Sequence, residues 1–82
     1  MIKRYKSALV TGAASGIGKS ILNKLSNYQI KLYALDKNKT KLKKICDKTG
    51  ALPICLDISK TDLLYSKLSK LNIDIIVSNA GI

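Results

Sequence analysis

The apolar residues of the chain form short continuous runs that alternate with stretches of helical period. Four runs are almost continuously apolar: 7–12, 30–36, 51–57 and 73–82, the last of which runs into a small-residue turn. Such runs are typical of strands buried on both faces. Between the runs, apolar residues recur three and four positions apart, which predicts three helices. These helices are expected from about Gly16 to Asn27, around Leu42–Cys46 with Gly50 as the stop, and around Leu64–Leu71.

The alternation of strand and helix along the chain predicts an α/β fold. Short connections between apolar strands indicate a parallel sheet with right-handed crossovers and helices on both faces. Pro53 lies near the start of the third strand, where a missing amide is tolerated, especially if that strand is at the sheet edge. A length of 82 residues allows one domain at most, over residues 1–82.

The segment "TGAASGIGKS", residues 11–20, satisfies two phosphate-binding patterns. Counted from Gly12, it is Gly-x-x-x-Gly-x-Gly, with Gly16 and Gly18, which indicates a dinucleotide binder. Counted from Ala13, it is a near-match to the triphosphate loop Gly-x-x-x-x-Gly-Lys-[Ser/Thr], which indicates a hydrolase or kinase. Both patterns place a glycine-rich turn between a strand and a helix, whose N-terminal amides attract phosphate.

Two aspartates follow predicted strands. Asp36 ends the second strand, where a dinucleotide binder needs an acid for the adenosine ribose; it could also serve as a helix N-cap. Asp57 follows the third strand and could hold a metal ion in a triphosphate site, so it does not discriminate between the two patterns. Lys19 and Ser20 favour the triphosphate loop, and the local pattern leaves both interpretations open.

Four segments, in order, resemble the short-chain dehydrogenase/reductase family. "TGAASGIG" resembles its coenzyme loop, "ALD" its second-strand acid, "LDIS" its adenine-contacting Asp-Val/Ile pair, and "SNAG" its Asn-Asn-Ala-Gly motif, with Ser78 replacing the first Asn. The similarity covers essentially the whole chain. It implies a Rossmann-like sheet of order 3-2-1-4 and a dinucleotide cofactor, and it makes Lys19 and Ser20 ordinary first-turn helix residues.

The resemblance also implies the binding residues. Five would shape the pyrophosphate site: Gly12, Ser15, Gly16, Ile17 and Gly18. Three would contact the adenosine: Asp36 its ribose, Asp57 the adenine amino group, and Ile58 the adenine through its backbone. Three follow the fourth strand: Asn79 would brace the sheet, and Ala80 and Gly81 would line the cofactor channel.

The expected cofactor is NAD, with NADP less favoured. The Asp36 carboxylate would accept the ribose hydroxyls of NAD and repel the 2′-phosphate of NADP. Lys37 and Lys39 soften this preference, because a flanking cation can attract that phosphate. Ser15 stands where NADP-preferring relatives often carry a basic residue, which agrees with NAD.

The family's catalytic serine and Tyr-x-x-x-Lys pair lie beyond its fourth strand, whereas this chain ends at Ile82. Tyr33 and Lys37 match the spacing, but Tyr33 lies inside a predicted strand, so the pair is rejected. The resemblance therefore implies the N-terminal half of a dehydrogenase, truncated after the fourth strand, and predicts no catalytic residue and no turnover from this chain alone. A non-catalytic remnant kept for nucleotide or partner binding is the alternative.

Charge and cysteine content change this picture little. The net charge is +10, from 15 Lys+Arg and 5 acids, but only one arginine is present and the dense patch at 37–44 has helical spacing. A solvated helix face is expected there, and nucleic-acid binding is not. Cys46 and Cys55 fit no metal-binding spacing and no histidine is present, so both are predicted to be buried thiols.

The absence of a targeting or membrane-spanning pattern leads us to expect a cytoplasmic protein without a membrane partner. The fourth strand would be an open edge under the implied sheet order. It carries Ile73, Ile75, Ile76 and Val77 and no lysine, so self-association through this edge is predicted.

Overall fold

A computed structural model describes residues 6–57 and 61–78, and it confirms the predicted order of elements. The strands are β1 Ser7–Thr11, β2 Lys31–Asp36, β3 Leu52–Cys55 and β4 Ile75–Val77. The helices are α1 Gly16–Leu25, α2 Lys39–Thr49 and α3 Thr61–Ser69. None of the helices in these two ranges has the length and apolar content that crossing a bilayer requires.

The four strands form one parallel sheet in the order β3-β2-β1-β4, as the resemblance implied. In a parallel sheet the carboxyl ends of all strands lie at the same edge, so the loops that follow them are brought together. Pro53 is the second residue of β3, which is an edge strand, and it pairs with Ala34 of β2. This confirms its predicted position, because only an edge strand has a side on which no amide is needed.

The two faces of the sheet carry separate apolar clusters, since successive strand residues point to opposite faces. One cluster joins β1 and β2 to α1 and α2; its members include Ala8, Val10, Leu32, Ala34, Leu22, Leu42 and Ile45. The other contains Leu9, Tyr33, Leu35 and Ile54, with Leu68 of α3 and Leu71 packed against it. Helical segments therefore cover both faces, as predicted.

The edge strands differ from the prediction of strands buried on both faces. Only Ile54 is buried in β3, and no residue of β4 is buried, with Ile76 56% exposed. The reason is that each edge strand has a neighbour on one side only. The fourth strand is also shorter than expected at its start, because the amide of Ile73 donates to the carbonyl of Leu71 at 3.0 Å in a turn.

Helix α2 ends where the sequence predicted, whereas only one of the two cysteines is buried as predicted. Gly50 adopts φ 80° at the end of α2 and its amide donates to the carbonyl of Cys46 at 2.8 Å, which confirms it as the helix stop. Cys46 is buried; burial raises the pKa of its thiol, and the carboxylate of Asp47 raises it further. The prediction for Cys55 is wrong: its thiol is exposed, because it ends the edge strand β3.

A compact hydrogen-bond cluster joins the start of β1 to the residues before β4. The Ser7 hydroxyl donates to the carbonyl of Asn72 at 2.6 Å and accepts from the amide of Asp74 at 3.1 Å. The Asp74 carboxylate in turn accepts from the amides of Lys6 at 2.6 Å and Ser7 at 3.1 Å. These contacts span more than sixty residues of sequence and hold β4 in register against β1.

We expect Ser7→Ala to destabilise the protein by about 1–3 kcal/mol, because the part-buried carbonyl of Asn72 and amide of Asp74 lose their partner. The measurement is urea unfolding followed by circular dichroism. Ser69→Ala is the matched control, since the Ser69 hydroxyl is exposed and bonds only within its own helical segment, to Ser66; its effect should stay within about 0.5 kcal/mol. Equal midpoints for the two variants would contradict the role of the cluster.

Candidate functional site

The loops that follow β1, β2 and β3 meet at the carboxyl edge of the sheet. In open α/β sheets this edge is where ligands bind. The glycine-rich loop leads from β1 into α1, Asp36 is the last residue of β2, and Asp57 comes just after β3. The amide of Leu56 donates to the carbonyl of Asp36 at 3.1 Å, so the ends of β2 and β3 are directly joined.

The glycine-rich loop is held in shape by bonds within the chain itself. Gly12 adopts φ 63°, in the left-handed region that favours glycine. The carbonyl of Gly12 accepts from both the Ser15 amide at 3.1 Å and the Ser15 hydroxyl at 2.7 Å. The amide of Ala13 donates to the carbonyl of Leu35 at 3.1 Å, which fastens the loop to the end of β2.

The N-terminus of α1 offers backbone amides to an anion. Ser15 is the N-cap residue, but its side chain makes no cap hydrogen bond, and the first turn contains no acidic residue. The amides of the first turn have no acceptor within the helix. Together with the helix dipole, they form an environment that stabilises a phosphate group. The elements of the predicted pyrophosphate site are thus brought together at one helix end.

Gly16 has no requirement for glycine in the described part of the chain. It is not among the glycines with positive φ, and a Cβ built on it would meet no heavy atom within 4 Å. Ile17 beside it is 69% exposed, whereas Gly18 is buried. Open space over the first residue of a helix allows a ligand to approach the backbone closely. Gly18 lies on the buried side of α1.

Asp36 is half-buried and uses both of its carboxylate oxygens. Oδ2 accepts from the amide of Ala14 at 3.0 Å, and Oδ1 accepts from the amide of Asn38 at 2.9 Å. The interpretation of Asp36 as the helix N-cap is wrong: Asn38 caps α2, with its Oδ1 accepting from the amide of Lys41 at 3.1 Å. Because an ionised carboxylate has about four acceptor positions, Asp36 keeps capacity for ribose hydroxyls.

The remaining predicted residues are only partly placed. Asp57 is half-buried at the same sheet edge as Asp36. Ile58, Asn79, Ala80 and Gly81 lie outside the described residues. Sequence reasoning missed the amide of Ala14 as a partner of Asp36, for which no sequence signal exists. It also missed Asn38 as the cap, although asparagine just before a helical stretch is a recognised capping signal.

The triphosphate-loop interpretation receives no support. The residue in the left-handed conformation is Gly12, which belongs to the dinucleotide pattern, and not Ala13. Ala13 is fully buried and its amide is already bonded to β2, so it does not replace a phosphate-binding glycine. Within 6–57 and 61–78, no cluster of three or more His, Cys, Asp or Glu residues could hold a metal ion.

The structure confirms that Tyr33, the tyrosine of the rejected tyrosine–lysine pair, lies inside a strand. Tyr33 lies inside β2, is 8% exposed and belongs to the second apolar cluster. The ammonium group of Lys31 lies 5.7 Å from the centre of its ring. Lys37 comes after the end of β2, so it does not lie one helical turn from Tyr33.

Comparisons with known proteins agree with this geometry. The family described as short chain dehydrogenase matches residues 6–82. An uncharacterised short-chain type dehydrogenase/reductase from Sinorhizobium fredii is 37% identical over 81 residues, 99% of this chain and 33% of the relative. The 3-ketoacyl-(acyl-carrier-protein) reductase from Brucella melitensis, complexed with NADH, superposes with a TM-score of 0.78 and 33% identity, covering 94% of this chain and 34% of that one. BdcA in complex with NADPH superposes with a TM-score of 0.85 and 28% identity, covering 94% of this chain and 32% of the BdcA chain.

These proteins are about three times as long as the present chain, which spans 33% of the Sinorhizobium relative. The structural neighbours bind NADH in one case and NADPH in another, so they support a nicotinamide dinucleotide without distinguishing the two. The match nevertheless extends over nearly the whole of this chain, including the glycine-rich loop and the end of β2.

We expect Gly12→Ala to destabilise the protein by about 1–2 kcal/mol, because Gly12 has φ 63° and an L-residue is strained in that conformation. Gly16→Ala should leave stability unchanged or raise it by up to about 1 kcal/mol, since its Cβ meets nothing within 4 Å. Urea unfolding of both variants measures the difference. A loss at Gly16 as large as that at Gly12 would show that the chain itself requires glycine there.

Proposed function

Because the chain belongs to the short-chain dehydrogenase family, we propose that it is the coenzyme-binding portion of an oxidoreductase. Its role is to hold the adenosine and pyrophosphate of a nicotinamide dinucleotide, in an enzyme that exchanges hydride with an alcohol or carbonyl substrate. The observation that carries the proposal is Gly16. It stands at the start of α1 with open space where a side chain would be, although nothing described in the chain demands glycine there.

Each part of the site has a distinct task in this proposal. The loop from Gly12 to Gly18 binds the pyrophosphate through backbone amides and the α1 dipole. Asp36 accepts the adenosine ribose hydroxyls with its remaining lone pairs. Asp57 accepts from the adenine amino group, and the exposed Ile17 supplies apolar surface beside the phosphates. The chain thus binds and orients the cofactor, and the bound dinucleotide would supply the hydride chemistry.

Binding is tested by titrating NAD into the 82-residue chain and following backbone amide signals by NMR. We expect Gly16→Ala to weaken NAD binding about tenfold or more, because the added methyl group occupies the space for phosphate. Gly50→Ala is the control: Gly50 has φ 80° and lies at the end of α2, away from the site. It should lower stability and leave the affinity of the folded protein unchanged. Equal NAD affinity for Gly16→Ala and the unmodified chain would contradict the proposal.

We expect NAD to bind more tightly than NADP. A carboxylate and a phosphate about 4 Å apart repel by about 4 kcal/mol at an effective dielectric near 20. Solvent and salt at this open rim reduce the repulsion to about 1–3 kcal/mol. The exposed side chains of Lys37 and Lys39 weaken the preference, but as flexible point charges they do not reverse it.

The measurement for cofactor choice is the ratio of NADP to NAD dissociation constants at matched ionic strength, before and after Asp36→Ala. This ratio isolates the ribose 2′ position, because both cofactors use the same glycine-rich loop. The ratio should fall towards one in the variant. Tighter binding of NADP by the unmodified chain, or an unchanged ratio in Asp36→Ala, would show that Asp36 is not the selector.

We also propose that the chain self-associates through β4 and not through β3. Backbone amides alternate between the two sides of a strand, and the Leu56 amide points to β2. The amides on the open side of β3 therefore belong to positions 53 and 55, and Pro53 has none. Strand β4 has no proline and exposes Ile76, so it is the better template for pairing with a second copy.

We expect Ile76→Lys to shift the protein towards monomer, because a charge on an edge strand discourages pairing. Leu52→Lys is the matched control, since Leu52 is 44% exposed on the opposite edge; it should leave association unchanged. The measurement is sedimentation velocity at a protein concentration on the order of tens of micromolar, where edge-driven association occurs. A monomeric unmodified chain, or equal effects of both substitutions, would contradict an interface at β4.

A further inference from the structure

We propose that Asp36 is a positioning residue for the pyrophosphate site, in addition to any contact it makes with ribose. Its carboxylate holds the glycine-rich loop in the binding conformation before a cofactor is present. This inference rests on the proposed function for the identity of the ligand. The bridge itself, defined as the hydrogen bonds from the amides of Ala14 and Asn38 to Asp36, is a property of the chain alone.

The bridge connects two separate loops through one side chain. Ala14 belongs to the loop between β1 and α1, and Asn38 to the loop between β2 and α2. The two N···O distances are 3.0 Å and 2.9 Å, within the range of good hydrogen bonds. Asp36 also accepts the amide of Leu56 through its carbonyl. Asp36 therefore connects the segments that follow β1, β2 and β3 at the carboxyl edge of the sheet.

The Ala14 amide depends on this carboxylate. Ala14 is only 7% exposed, so water has little access to replace a lost acceptor. A second hydrogen bond between the loop and β2 runs from the Ala13 amide to the carbonyl of Leu35. Loss of the carboxylate would leave a part-buried donor without this acceptor, and we expect the loop to rearrange in response. The displaced residues would be those leading directly into Ser15 and Gly16.

The bridge requires an aspartate at position 36, because each of its two carboxylate oxygens accepts one of the two hydrogen bonds. Asparagine has the same shape but a single oxygen acceptor, and its NH₂ group would face an amide N–H. Asp36→Asn can therefore preserve at most one of the two bonds. The unmodified carboxylate retains lone pairs beyond the two engaged ones, so positioning the loop and binding ribose are compatible in one residue.

Inorganic pyrophosphate separates positioning from ribose contact, because it has no ribose. If Asp36 acted on the ribose alone, removal of its negative charge would leave pyrophosphate affinity equal or stronger. If Asp36 positions the loop, Asp36→Asn weakens pyrophosphate binding about tenfold, despite the loss of a repelling charge. The charge-matched control is Asp47→Asn, since Asp47 lies on α2 with a 70% exposed side chain that pairs with Lys43 of the same helix.

The experiment follows backbone amides by NMR in the ligand-free 82-residue chain and then during pyrophosphate titration. In the unmodified protein, the amides of Ala14 and Ala13 should both be protected from hydrogen exchange. In Asp36→Asn, Ala14 should lose protection while Ala13, bonded to Leu35, keeps it. Affinities are compared only between variants whose β1 and β2 amides show the intact sheet.

Each result decides the proposal. An unprotected Ala14 amide in the unmodified, folded protein overturns it, whether or not Asp36→Asn folds. Equal or tighter pyrophosphate binding by Asp36→Asn, matching Asp47→Asn, also overturns it. Failure of the unmodified chain to bind pyrophosphate and NAD counts against the proposed function instead. In that case selective deprotection of Ala14 in Asp36→Asn still supports the bridge, and unchanged protection refutes it.

Discussion

The pairing of β1 with a parallel strand on each side is the interaction on which the rest of the structure depends. All five residues of β1 are buried, with β2 on one side and β4 on the other. Its alternating side chains supply both apolar clusters, so the helices on either face are positioned relative to this strand. Because β1 ends at Thr11, the turn at Gly12 and the start of α1 are placed at the middle of the carboxyl edge.

From that arrangement the candidate site follows with few additional contacts. The glycine-rich loop is held by its own hydrogen bonds and by contacts with the end of β2, which include those from Ala13 to Leu35 and from Ala14 to Asp36. The shape of the loop is thus maintained by hydrogen bonds within the chain itself. The groups that the candidate site presents are backbone amides and a helix dipole, which attract an anion, and the carboxylates of Asp36 and Asp57, which can accept hydrogen bonds.

The two edges of the described sheet differ in character. On the β3 side, Pro53 removes one outward amide, whereas on the β4 side the strand is short and half-exposed. The hydrogen-bond cluster of Ser7, Asn72 and Asp74 thus has a large part in keeping β4 attached. The structural neighbours, about three times as long, show that this fold occurs within larger proteins.

The sequence by itself determined the order of elements, the parallel α/β class, the stop at Gly50 and the location of the glycine-rich loop and Asp36. These features are local: apolar runs, helical spacing and glycine positions report on a few neighbouring residues. Only the tertiary structure decided that both oxygens of Asp36 are engaged by Ala14 and Asn38, that Gly16 has open space above it, and that Cys55 is exposed. Those outcomes depend on which segments meet across the sheet and which strands are at its edges. The physical reason is that a hydrogen bond between residues 14 and 36, or between 7 and 74, satisfies groups whose partners no local pattern specifies.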